Sequence, residues 1–142
     1  MHYRACCPRR RAAALVELAL LLPLLIFLFL LTVDFARVFY YWLTIENCAR
    51  NGATYASLQA VDQDWQINSS LVQNTQQAAI ADGANLNPPL TTSDVSVTNT
   101  TDSDGNSVVQ VTVNYTFYTI AHTWGLPGSI SLSRTAQMRI AP

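Results

Sequence analysis

The sequence predicts an α+β chain: an N-terminal transmembrane helix that continues into a long exported helix, a second short helix, and a three-stranded antiparallel sheet packed on it. Three observations predict this fold. An apolar run from Ala12 to Val33 contains a single charged residue, Glu17. Apolar and small residues then recur at spacings of three and four as far as Leu58, which is the period of one helix face. After Pro89 the apolar period changes to two, as in strands with one buried face.

Composition already excludes several classes of protein. The chain has 142 residues, and only 12% are charged, against roughly 25% in an ordinary soluble domain. All eight basic residues are Arg, and four of them lie in the first twelve residues without an acid among them. The rest of the chain holds four Arg against nine acids and would repel phosphate, so we expect no nucleic-acid partner. The length excludes a large enzyme with a deep core of its own.

The apolar run is long enough to cross a membrane. Its 22 residues form a helix of about 33 Å, and a hydrocarbon core is roughly 30 Å thick. The N-terminal Arg cluster predicts a cytoplasmic N-terminus and an exported body. A cleaved secretory signal fits poorly, because Leu31–Arg37 lacks a small-x-small cleavage site. We therefore expect a leader at 1–12, a transmembrane helix at 13–33 and an exported domain at 34–142.

Two residues inside the apolar run need an explanation. A carboxylate such as Glu17 costs about 2–3 kcal/mol within a membrane, and such residues are commonly functional. The alternative is that Glu17 lies near the cytoplasmic interface and is simply hydrated. Pro23 removes one helix hydrogen bond and favours a kink, although membrane helices tolerate proline.

Together these features resemble a type IV pilin-like signal and, more closely, the TadE-like family of the tight-adherence pilus system. The shared pattern is a basic run, a small residue, a Glu five positions later, and a long apolar helix with a later Pro. Further segments resemble the family at 34–37 (Asp-Phe-Ala-Arg), 49–56 and 133–139. The sequence departs from the family at Ala12, where Gly is usual, and at Leu18, where Phe is common.

The resemblance implies cleavage by a prepilin-type peptidase between Ala12 and Ala13. Glu17 would then be the fifth residue of the mature chain. It lies four residues from the new ammonium group, on the same helix face, where it could neutralise its own or a neighbour's ammonium at low dielectric. Ala12, Ala13 and Glu17 are thus the expected processing residues, and Glu17 and Pro23 the expected helix-assembly residues.

The implied role is that of a membrane-anchored pseudopilin or minor pilin in tight-adherence pilus assembly. Its location would be the bacterial inner membrane or the pilus itself. The implied partners are the lipid bilayer, the peptidase, and other pilin-like subunits or pilus assembly proteins. The alternative is an exported binding module tethered by an uncleaved signal anchor, with no pilus role.

In the exported part, the first helix is expected to bury one face against the sheet. The members of that face share helical spacing: Phe35, Val38, Trp42, Ile45, Ala49, Gly52, Ala53 and Ala56. The cluster Phe39–Trp42 predicts an aromatic belt at the membrane interface rather than a ligand-stacking site. The small residues near Gly52 favour close backbone approach, most simply by the sheet.

The remaining elements follow from periodicity and turn residues. Ser69–Ala84 predicts a second helix that buries Leu71-Val72, Ala78-Ala79 and Ala84, and Pro88 ends it. Strands are predicted around Val95 and Val97, at Val109–Tyr115 and at Ile130–Ile140. The Asp-Gly pair within Thr101–Asn106 predicts a hairpin between the first two strands.

No candidate chemistry emerges from the sequence. His122 has no nucleophile motif beside it, so no catalytic triad is indicated. We expect no enzyme activity, cofactor, metal or small-molecule substrate. The segment Asp102–Asn106 only faintly resembles a calcium loop, because the terminal Glu is missing. Cys48 is expected to be a small buried residue, with an intermolecular disulfide as the alternative.

Overall fold

The computed structural model describes residues 8–61, 67–120, 122, 125 and 127–140, with side chains from residue 13 onward except that of residue 61. Its elements, in chain order, are helix α1 (Pro8–Val61), helix α2 (Ser69–Asp82), a 3₁₀ turn (Thr92–Asp94), and strands β1 (Val95–Thr101), β2 (Ser107–Tyr118) and β3 (Ser129–Arg139). Two helices and a three-stranded antiparallel sheet confirm the predicted α+β class.

Helix α1 is a single helix of 54 residues that continues through Pro23. Its most apolar 18-residue window has a mean hydropathy of 2.8, and none of that window is buried inside the molecule. The core helix of a soluble domain would be covered by its own chain. Among the described residues, α1 is the one helix long and apolar enough to span a membrane, which makes it compatible with a single-pass anchor.

The sheet packs one face on the second half of α1. Strand β2 is central, in the order β1-β2-β3, and both pairings are antiparallel. The odd-numbered residues of β2 from Val109 to Phe117 are buried: Val109, Val111, Val113, Tyr115 and Phe117. The opposite face carries polar cross-strand pairs such as Thr112 with Thr135, whose hydroxyl oxygens are 2.8 Å apart. The predicted hairpin is present, and Gly105 takes φ +82°, which favours glycine.

The buried face of α1 differs from the predicted one at two positions. Phe35 is 74% exposed and Trp42 is 41% exposed, so neither faces the core. The buried or half-buried stripe instead has these members: Asp34, Val38, Tyr41, Ile45, Cys48, Ala49, Gly52, Ala53 and Ala56. The sheet covers the side of the helix that contains Asp34 and Tyr41. Apolar character alone favours the residues that follow them in the sequence, Phe35 and Trp42.

Small residues let three elements meet at Gly52. A Cβ added there would lie 3.1 Å from the Cβ of Ala79 on α2 and 3.3 Å from Cγ1 of Val111 on β2. The predicted close approach by the sheet is confirmed, and α2 approaches the same glycine. A helix with larger side chains on this face would hold both neighbours further away.

Helix α2 ends two residues earlier than the sequence predicts. Asn68 caps its start by accepting the Leu71 N–H at 2.8 Å. Gly83 follows the last helical residue and donates its N–H to Ile80 O at 2.9 Å. Ala84 is therefore beyond the helix and exposed, whereas the sequence predicts it to be buried. The fully buried residues of α2 are Leu71, Thr75 and Ala79.

Candidate functional site

The predicted processing residues lie at the exposed end of α1. The backbone of Ala12 and Ala13 is helical, and the side chains of Ala13 and Glu17 are both exposed. Because they are four residues apart in a continuous helix, they share one face. Pro23 lies about 9 Å further along the axis and on a different face. The structure thus brings Glu17 to Ala13 but not to Pro23.

The buried carboxylate of Asp34, at the point where the apolar run ends, connects α1 to the β2–β3 connection; we call its contacts with Ile120 and Arg37 the Asp34 joint. Asp34 is 5% exposed. Its Oδ2 and Oδ1 atoms accept the backbone N–H of Ile120 at 2.9 and 3.1 Å. Its Oδ1 also accepts a hydrogen bond from Arg37 Nη1 at 3.2 Å. The start of the β2–β3 connection is therefore fixed to a defined turn of α1.

The sequence alone does not indicate this joint. In it, Asp34 marks the end of the apolar run and belongs to the family-like tetrapeptide at 34–37. One signal was available, since Asp34, Tyr41 and Cys48 are spaced by seven residues and lie on one helix stripe. The partner, Ile120, is 86 residues away in sequence, and no local pattern indicates it.

Aromatic contacts between α1 and the sheet continue from the Asp34 joint toward the C-terminal end of α1. The Tyr41 ring lies edge-on to Tyr115 and Phe117, with centroids 5.6 and 5.2 Å away. The Arg37 guanidinium lies 4.9 Å from the Phe117 ring centroid, a cation–π geometry. Tyr41 thus packs on the sheet, and the interfacial aromatic belt expected at Phe39–Trp42 stays a prediction. The other three remain exposed.

A second contact between helix and sheet lies on the β3 side. The Arg134 guanidinium lies 3.9 Å from the Trp42 ring centroid. Glu46 bridges two arginines, with Arg50 at 3.2 Å and Arg134 at 3.8 Å. These partly exposed contacts add little stability individually. The contact with Arg134 explains how Trp42, although 41% exposed, is held against the sheet.

Cys48 occupies the centre of the helix–sheet core. Its side chain has no exposed surface. Burial, with a smaller contribution from Asp82, raises the pKa of its thiol to about 11. The buried, unpaired thiol agrees with the predicted structural role. In this fold the sulfur is not accessible to a second chain, which disfavours the intermolecular disulfide.

The carboxylates of the faint calcium-like loop are bound to an arginine. Arg139 donates from Nε to Asp102 Oδ2 at 2.7 Å and from Nη2 to Asp104 Oδ2 at 2.8 Å. Asp102 Oδ1 accepts the N–H groups of Asp104 and Asn106. Desolvation opposes ionisation, but these hydrogen bonds outweigh it and lower the pKa of Asp102. Within the described residues, no group of three or more His, Cys, Asp or Glu could hold a metal.

His122 makes a local loop contact. Its Nδ1 lies 3.1 Å from the carbonyl oxygen of Thr119, and its side chain is exposed.

Residues 12–54 match the family model described as TadE-like protein. The matched range contains the expected processing residues, Pro23 and the Asp34–Arg37 segment, and it ends within α1. This confirms the resemblance over the helix, while the likeness at 133–139 stays a prediction. No curated protein and no solved structure matches the chain significantly.

Proposed function

We propose that this chain, TadE-like over residues 12–54, is a membrane-anchored pseudopilin or minor pilin that takes part in tight-adherence pilus assembly. One observation carries the proposal: the matched segment contains the apolar first part of α1, whose most apolar 18-residue window is left uncovered by the described residues. Such a helix requires lipid or partner helices around it. The role is structural rather than catalytic.

The proposed mechanism has three stages. The apolar helix first holds the protein in the inner membrane, with the Arg-rich leader in the cytoplasm and the sheet exported. A prepilin-type peptidase then cuts between Ala12 and Ala13, which removes the leader and creates an ammonium group. Finally, α1 associates laterally with other pilin-like helices, and Glu17 neutralises its own or a neighbouring ammonium group in a low-dielectric environment.

Intact-mass analysis of protein purified from its native membrane tests the processing stage. The expected mass corresponds to a chain beginning at Ala13. Ala12→Gly, which introduces the residue usual in the family, should be processed at least as completely. Ala12→Leu, with a larger side chain before the cut, should retain the leader. A wild-type chain that keeps residues 1–12 in a host containing the peptidase would contradict processing.

Glu17→Gln tests the assembly stage separately. The variant keeps the shape of the side chain but cannot neutralise an ammonium group. We expect normal membrane insertion with a loss of co-purification with other pilin-like subunits. Glu46→Gln is the matched control, because it removes one charge from the exported part of the same helix. Equal co-purification of both variants with wild-type levels would refute the role of Glu17.

The alternative, an exported binding module on an uncleaved anchor, predicts the opposite results. It draws support from Ala12, which stands where the family usually has Gly. A retained leader combined with an inert Glu17→Gln substitution would favour this function.

A further inference from the structure

We propose that the exported domain makes a second contact with the bilayer surface, through an apolar collar formed by Phe35, Phe39, Tyr118, Ile120 and Pro127. The occupant of this surface is the lipid interface itself. The inference rests on the proposed membrane anchoring by α1 and extends it, because the collar includes residues of the β2–β3 connection as well as the helix.

The position of the collar follows from the Asp34 joint. A helix from Ala13 to Val33 spans about 31 Å, close to the roughly 30 Å of a hydrocarbon core. Asp34 therefore lies at the outer boundary of the membrane. The Ile120 N–H is 2.9 Å from Asp34 Oδ2, so the backbone of Ile120 lies at the same depth.

The side chains at this depth are apolar and uncovered. Phe39 and Tyr118 are each 58% exposed, and Ile120 is 49% exposed. An apolar groove of about 210 Å³ runs between α1 and the connection. Its lining includes Leu31, which belongs to the apolar run, Pro127 from the connection and Ile130 from the start of β3. The collar is thus continuous with the lipid-facing surface of α1.

Charged residues are absent from the collar or paired beside it, as we expect of a surface that rests on lipid. The sequence from Tyr118 to Ile130 contains no Asp, Glu, Lys or Arg. Asp34 and Arg37, the charged residues of α1 at this depth, pair with each other at 3.2 Å and bring no net charge to the interface. The charged hairpin of Asp102 and Arg139 lies at the other end of β2, about 36 Å away for a 12-residue strand. Tyr118 is of a type enriched at the membrane interface, and apolar side chains such as Phe bury at the boundary between headgroups and acyl chains.

Depth-dependent quenching tests the contact. The full chain carries Cys6→Ser and Cys7→Ser, and Ile120→Cys introduces a single reactive cysteine. That cysteine is labelled with an environment-sensitive NBD dye. Buried Cys48 should remain unlabelled, which the parent without an added cysteine verifies. The protein is reconstituted alone into phosphatidylcholine vesicles whose lipids carry a doxyl quencher near the headgroup or deep in the acyl chain.

Two matched positions on α1 calibrate the result. Leu25→Cys lies in the apolar run and reports anchoring. Leu58→Cys replaces another exposed leucine of the same helix, 65% exposed against 55% for Leu25, and lies about 36 Å beyond Asp34 along the helix. We expect the NBD fluorescence at position 120 to shift to the blue and to lose intensity with the shallow quencher. Fluorescence at position 25 should lose intensity with the deep quencher. Fluorescence at position 58 should show neither change. Tyr118→Cys repeats the measurement if the Ile120 variant folds poorly.

Each other outcome overturns the inference in a recognisable way. Quenching at Leu25 without quenching at Ile120 or Tyr118 would leave the anchor intact and remove the collar from the lipid. A blue shift at Ile120 without quenching by either lipid would assign the collar to a second copy of the chain. Absence of quenching at Leu25 would refute membrane anchoring and, with it, the proposed function.

Discussion

Replacing Asp34 by Ala should detach the β2–β3 connection from α1 while leaving the sheet folded. The substitution removes both oxygens that accept the Ile120 N–H at 2.9 and 3.1 Å. A part-buried donor left without an acceptor costs about 1–3 kcal/mol. Loss of the pair with Arg37, whose side chain is 34% exposed, adds about 0–1 kcal/mol because solvent screens it. The expected local cost is about 2–3 kcal/mol.

Hydrogen exchange of the Ile120 amide in detergent micelles measures this cost directly. Since about 1.4 kcal/mol corresponds to a tenfold change in an equilibrium constant, exchange at Ile120 should accelerate by roughly 30- to 150-fold. Exchange at Val111, in the centre of β2, should change much less. Asp34→Asn keeps one acceptor oxygen and should fall between wild type and Asp34→Ala.

Arg37→Ala provides the contrasting variant. It removes the ion pair and the contact with the Phe117 ring but keeps both Asp34 oxygens on Ile120, so exchange at Ile120 should accelerate less than in Asp34→Ala. Unchanged exchange at Ile120 in Asp34→Ala would refute the reasoning about the joint. Equal acceleration at Ile120 and Val111 would show that Asp34 supports the whole fold instead.

Four further predictions concern the core and the hairpin. Gly52→Val should lower the free energy of unfolding by about 1–3 kcal/mol through overpacking, since even a Cβ there would lie 3.1 Å from α2; unchanged urea denaturation would contradict this. Thr75→Val should be neutral or stabilising by up to about 1 kcal/mol, because the buried hydroxyl has no partner among the described residues; the same denaturation assay measures it, and a clear loss of stability would reveal a missed hydrogen bond. Cys48 should react with maleimide at pH 8 only after denaturation. Because its pKa is raised, the contribution of Cys48 to stability is fully present below about pH 9 and is lost as pH rises through about 11, and Cys48→Ala should lack that component. Asp102 has a lowered pKa, so its contribution is present above its ordinary value of 3.8 and disappears as pH falls below it; acid titration of Asp102→Asn should lack that component.

Periodicity predicted the elements well because each has a local cause. Three signals depend only on residues close together in the sequence. They are an apolar run long enough to span a bilayer, a stripe of small residues at helical spacing, and an alternation of apolar and polar residues. The Asp-Gly turn likewise fixes the β1–β2 hairpin without help from distant residues. These signals gave both helices and all three strands, with α2 extended too far because Gly83 was not recognised as its end.

The errors arose where a polar residue is buried by a distant partner. The sequence indicates Asp34 only as the end of the apolar run, and no residue near it in the chain points to Ile120, whose N–H its buried carboxylate accepts. Once Asp34 and Tyr41 are placed inward, Phe35 and Trp42 must turn outward. Thr75 on α2 is a separate case: it is fully buried although hydroxyl residues are mostly exposed, and periodicity of apolar residues does not indicate it. The site residues Ala12, Ala13 and Glu17 stay predictions because their chemistry depends on partners outside the chain.

The continuity of α1 has a mechanical consequence for the proposed assembly. The sheet and α2 hold the half of α1 beyond Asp34 through a core of small side chains, and the same helix continues through Pro23 to Glu17. If neighbouring helices associate through the Glu17 face, the rotation of each helix about its axis is set there. The helix transmits that rotation to the exported domain, so it also determines which way the polar face of the sheet points. A collar resting on lipid at Ile120 would fix the remaining tilt. Subunit orientation would therefore follow from two contacts, one near each side of the membrane, without a large interface between exported domains.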